Sequence, residues 1–167
     1  MDCKFAWSDN WNYSLFLVQM KTFLALLLLS PIAFAEKNEM VPLYEWLPEV
    51  GDNMEASEGL YASHRCIALF SMFHQLLLDA NDENTPEIIK SLKDAELIFI
   101  TEAISFYNTL IPESERDFEN DFLISMMPIA KNYRLIIEKS VSETDEILND
   151  FLLKDVEACK QLSESFN

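Results

Sequence analysis

Glycine is nearly absent, with 2 in a chain of 167 residues. Two glycines cannot build a phosphate-cradling loop, and neither G-x-G-x-x-G nor G-x-x-x-x-G-K-[ST] occurs. Histidine is equally scarce. His64 and His74 match neither H-E-x-x-H nor the Glu-x-x-His pattern of di-iron bundles. Positive charge is in short supply, since 12 Lys and Arg stand against 29 Asp and Glu for a net charge of −17. Such an excess repels phosphates and argues against nucleic acid and anionic membrane surfaces as partners. Strand signals are missing as well: there is no Asn-Gly or Asp-Gly hairpin pair and no sustained period-2 run. What remains is apolar, at 50% hydrophobic residues, which is too much for a disordered chain and suits one folded domain.

The N-terminal fifth of the chain carries a targeting pattern. Met20-Lys21 is a short basic start, residues 22–29 form an apolar core, and Ser30-Pro31 ends any helix there. Ala33-Phe34-Ala35 then offers small residues at the positions a signal peptidase reads, so cleavage is expected after Ala35. Residues 1–19 do not fit that pattern, because Asp2 and Asp9 outweigh Lys4. We therefore read residues 1–35 as an over-extended start plus a signal peptide, with synthesis beginning at Met20. The alternative is an uncleaved membrane anchor within residues 15–35, a stretch long enough to span a bilayer but interrupted by Gln19, Lys21, Ser30 and Pro31. Residues 1–35 carry two charges of each sign, so the net charge belongs to residues 36–167.

Cys3 precedes the signal, which leaves Cys66 and Cys159 as an even pair in an exported chain. That count reads as one disulfide. The two cysteines are too far apart for C-x-x-C redox chemistry or C-x-x-C-H haem attachment.

Residues 36–53 form a stub with Tyr44, Trp46 and two prolines, which limit it to a turn of helix or an extended segment. Residues 54–167 carry helical periodicity throughout. A first helix is expected from Glu55 to Ala80, with Cys66, Leu69, Phe70, Phe73, Leu76 and Leu77 on its core face and His64 and Ser71 on the opposite, polar face. After a turn at residues 81–84, Thr85-Pro86-Glu87 opens a second helix that Pro112 stops. Its stripe runs from Ile88 through Phe99 and Ala103 to Leu110. A third helix spans Ser114 to Lys139 through Phe122, Met126, Ile129 and Tyr133, with Pro128 expected to kink or split it. Ser142-Glu143-Thr144-Asp145 has the form of a capping box for a fourth helix, whose stripe starts at Ile147 and Leu148 and continues through Leu152 and Cys159 to Phe166. The fold class is all-α, a four-helix up-down-up-down bundle in which the first and fourth helices must be neighbours for the disulfide to form.

Chemistry-bearing residues are few. Glu96 and Asp155 fall inside apolar stripes, and a buried carboxylate must be paired or neutralised. With the inward Tyr107 and Tyr133 they outline an internal polar site, or else each acid bonds a Tyr, His or Arg. A nucleophilic Ser or Cys would need an oriented His base, and His64 reads as solvated beside Arg65. No catalytic residue, metal site or cofactor is expected. The function expected is a non-enzymatic interaction module, periplasmic or secreted, with an envelope or secreted protein as partner, a basic one among the candidates, and with Tyr44 and Trp46 as contact candidates. The alternative is a bundle that binds a small ligand, metal or haem at the internal polar site, for instance haem held by His74 and Met126.

Overall fold

A computed structural model describes residues 40–50, 54–80 and 85–166. The signal segment, its start at Met20, its cleavage after Ala35, the anchor alternative and the turn at residues 81–84 lie outside the described residues. The described chain is all-α. Five helices follow in order: α1 Leu43–Val50, α2 Ala56–Ala80, α3 Thr85–Leu110, α4 Phe118–Thr144 and α5 Asp150–Ser165, with a 3-10 turn at Glu113–Glu115. No described helix is long and apolar enough to cross a membrane.

The organising element is α2, which packs against each of the other four helices. Residues 62–72 are buried without exception. An isolated amphipathic helix would bury one stripe. Here the face expected to be polar is also covered, because its residues are small or hydrogen-bonded: Ala62, Ser63, His64 and Ser71 are all buried. His64 is therefore not a solvated residue.

Helices α2 and α3 form an antiparallel pair. Gly59 meets Phe106, Phe70 meets Phe99, and Ser71 meets Glu96, so one chain climbs as the other descends. Gly59 is what lets the helices close at that end, since a Cβ there would lie 2.4 Å from the Phe106 ring. Phe166, just past α5, fills the same region against Phe99 and Phe106. The α3–α4 corner is fastened by two side chains. Arg116 donates from Nε to the Ile111 carbonyl at 2.9 Å and from Nη2 to the Asn108 carbonyl at 2.8 Å, serving the end of a helix that has no basic residue of its own in its last turn. Tyr107 donates to Asp121 at 2.6 Å and accepts from the Asp117 amide at 2.9 Å.

Several boundaries differ from the sequence expectation. The stub is a two-turn helix, α1, that accommodates Pro48. Helix α4 starts at Phe118 rather than Ser114, with Asp117 as its N-cap, and it runs through Pro128 without a split. It also continues past Lys139, so Ser142-Glu143-Thr144 is its last turn and not a capping box. The hydroxyls of Ser142 and Thr144 donate back to the carbonyls of Lys139 and Ser140. Asp145 then takes a left-handed conformation, φ 60°, and its amide bonds the Val141 carbonyl, an ending usually left to glycine. The true N-cap of α5 is Asn149, whose side chain accepts from the Leu152 amide at 3.0 Å. Ile147 and Leu148 thus fall outside α5 and are each 45% exposed rather than part of the core. Ile88 and Leu110, near the two ends of α3, are exposed as well.

Cys66 and Cys159 form a disulfide between α2 and α5, with Cα atoms 5.6 Å apart across 93 residues of sequence. Closing a loop of that length is worth about 4–5 kcal/mol in the chain-entropy model, an upper value.

The position of the α5 cap predicts contrasting costs. Asn149→Ala lowers unfolding stability by about 1 kcal/mol in urea titration, while Ser142→Ala stays within roughly 0.5 kcal/mol. The reverse order would restore the capping box to Ser142.

Candidate functional site

Three charged or phenolic side chains meet in the interior, one from each of α2, α4 and α5. Arg65, Tyr133 and Asp155 are all fully buried. Arg65 donates from Nη2 to Asp155 Oδ2 at 2.5 Å and from Nε to the Tyr133 hydroxyl at 3.2 Å. The Tyr133 hydroxyl in turn donates to Asp155 Oδ2 at 2.7 Å. The remaining valences go to the start of α1. Arg65 Nη1 donates to the Val41 carbonyl at 2.5 Å, and Asp155 Oδ1 accepts the Leu43 amide at 2.6 Å. The guanidinium also lies 5.6 Å from the Tyr133 ring centroid and 5.9 Å from that of Tyr61.

This arrangement explains how a charge survives in the core. Burial works against the Arg65 cation, but Tyr133 and Asp155 outweigh it and hold the guanidinium above its ordinary value. Burial pushes the Tyr133 phenol up, which keeps it a neutral donor. The pair also acts on main chain. It grips one carbonyl and one amide two residues apart, and that fixes the direction in which residues 41–43 enter α1. Leu43 is fully buried beside it.

The four residues expected to outline one internal site lie in three places. Asp155 and Tyr133 are together. Glu96 is buried, as its stripe position implies, but it accepts a hydrogen bond from Ser71 on the α2–α3 face. Tyr107 belongs to the α3–α4 corner. Arg65 is the partner that completes the buried set, and the sequence reading names it only as the neighbour of His64. Two sequence signals point to it. Arg65 has Ala62, Leu69 and Met72 at helical spacings, and it is the only Lys or Arg between Lys37 and Lys90. Tyr44 and Trp46 are half-buried. Tyr44 donates to Glu45 and lies under the Lys154 ammonium, while Trp46 packs edge-on against Tyr61 at 5.2 Å.

His64 occupies a second polar niche. Its Nδ1 is 3.2 Å from Ser125 Oγ, and its ring meets Phe122 edge-on at 5.0 Å. Ser125 also donates to the Phe122 carbonyl at 3.0 Å. The other ring nitrogen, Nε2, is buried with no hydrogen-bond partner among the described residues. A second proton would have no acceptor in this niche, and burial accordingly lowers the His64 pKa to about 4. No carboxylate orients this pair among the hydrogen bonds of the described residues, so the Ser–His–acid geometry of an activated nucleophile is not assembled here. Nor does any group of three or more His, Cys, Asp or Glu among the described residues have the arrangement of a metal site.

Comparison with family models, with curated proteins and with solved structures finds no match to this chain.

Two outcomes follow for stability. Asp155→Ala lowers unfolding free energy by about 3–5 kcal/mol, because it strands a buried cation. The double replacement Arg65→Met/Asp155→Leu remains destabilised by roughly 2 kcal/mol or more, since the Val41 carbonyl and the Leu43 amide lose their partners. Denaturant titration measures both, and recovery of wild-type stability in the double variant would show that the backbone contacts contribute nothing. The second outcome concerns pH. A folded His64 pKa depressed to about 4 from an unfolded 6.5 gives stability that is fully present above pH 6.5 and lost as pH falls toward 4. The loss reaches roughly 3 kcal/mol. In His64→Asn this component disappears, so the difference between the two stability–pH curves should be confined to that window.

Proposed function

We propose that residues 36–167 are the working part of an exported, periplasmic or secreted protein that acts as a non-enzymatic interaction module. The observation that carries this reading is that the largest buried polar cluster is turned inward on the protein itself. The buried Arg65–Tyr133–Asp155 set spends its hydrogen bonds on itself and on the chain's own backbone. What is left to act is the outer surface, which is dominated by acid and bears scattered exposed aliphatic side chains.

The targeting pattern of residues 20–35 supports export, and a disulfide between Cys66 and Cys159 is the crosslink expected of an oxidising compartment. We take α2–α5 as the up-down-up-down bundle, with α1 fastened across the α2–α5 pair. A charge of −17 favours a basic partner, because opposite charge accelerates encounter and makes it sensitive to salt. The ligand-binding alternative has less support, since Glu96, Tyr107 and the Tyr133–Asp155 pair do not share one space.

Cross-linking the tagged full chain in cells that make it natively, followed by capture, tests the reading. A specific, basic, exported protein that is lost at high salt is the expected product. A chromophore or metal in stoichiometric amount, with no protein partner, would overturn the reading in favour of the alternative. N-terminal sequencing of the same material should begin at Glu36.

A further inference from the structure

The segment joining α4 to α5 places two adjacent aliphatic residues, Ile147 and Leu148, in a connection that is otherwise acidic and polar. Val141 in the last turn of α4, Ile147 and Leu148 in the connection, and Leu153 in the first turn of α5 are 41–50% exposed. The same stretch carries Glu143, Asp145, Glu146 and Asp150, all exposed, and holds no Lys, Arg or His between Lys139 and Lys154. The nearest cation on α5, Lys154, has its ammonium 4.9 Å from the Tyr44 ring centroid. Aliphatic groups are thus interleaved with unneutralised carboxylates on one short length of chain.

Charge selects the occupant. A second copy would bring its own −17 against this face, and an anionic lipid surface would be repelled likewise. A segment combining Lys or Arg with aliphatic residues satisfies both features at once. We propose that residues 141–153 are a docking surface for a cationic amphipathic segment of an exported protein. Its apolar side chains cover Ile147 and Leu148, and its cations meet Glu143, Asp145, Glu146 and Asp150. This deepens the interaction-module reading and rests on it.

The test titrates the full chain with a short synthetic helical peptide bearing one leucine face and one lysine face, followed by calorimetry and amide chemical shifts. A lysine–serine peptide of equal charge and a glutamate–leucine peptide of equal apolarity serve as controls. The expected result is binding of the lysine–leucine peptide alone, with shifts confined to residues 141–153 and the following turn of α5. Ile147→Ser/Leu148→Ser should weaken it by roughly tenfold. Because both residues are exposed, the melting temperature should stay put. Glu143→Gln/Glu146→Gln should weaken binding and flatten its salt dependence. Equal binding of the lysine–serine peptide, or shifts centred on the exposed Ile124 and Met127 of α4, would overturn the proposal. So would concentration-dependent self-association abolished by Ile147→Ser/Leu148→Ser. If a partner captured by cross-linking is retained by that double variant, the surface is wrong while the module reading stands.

Discussion

A buried cation is tolerable only if it is paired and hydrogen-bonded, and that requirement shapes this protein: each of the three guanidinium nitrogens of Arg65 finds an acceptor. Arg65 and Asp155 are both removed from water, and their mutual attraction alone would not offset the loss of hydration. The deficit is met by Tyr133 from α4 and by two backbone groups at the start of α1. The ion pair thereby recruits elements from both ends of the described chain. Without α1, a carbonyl-seeking guanidinium nitrogen and a carboxylate oxygen would face solvent or go unmet.

The second constraint is the burial of α2 on all sides over residues 62–72. A helix surrounded by four others needs small or internally bonded residues where a solvent-facing helix would carry charge. Ser63, His64 and Ser71 occupy those positions, and His64 remains neutral there. The disulfide follows Arg65 by one residue on α2 and Asp155 by one helical turn on α5. Covalent and ionic links therefore secure the same pair of helices at nearly the same level.

Much of this was legible in the sequence. The Thr85-Pro86 start, the Pro112 stop, the pairing of Cys66 with Cys159 and the inward placement of Glu96 and Asp155 all follow from local chemistry. The errors are equally physical. Ser142-Glu143-Thr144-Asp145 and Asp117 or Asn149 carry the same kind of short polar side chain, and a hydroxyl that caps a helix start can equally bond back to a carbonyl near a helix end. Without glycine to mark the α4 terminus, the boundary shifted, and Ile147 and Leu148 were counted as core. Arg65 is hard to read as core because an apolar helix ordinarily keeps a polar face, and only the tertiary arrangement covers that face of α2 over residues 62–72.

The order of the chain carries one last consequence. Arg65 meets a carboxylate 90 positions downstream, Cys66 a thiol 93 downstream, and the Leu43 amide an acceptor 112 downstream. None of these long-range links can close before α5 is available, whereas the antiparallel α2–α3 pair needs only residues 56–110. The two halves of the fold are therefore tied on different schedules, the first by neighbours in sequence and the second only by the chain's last helix.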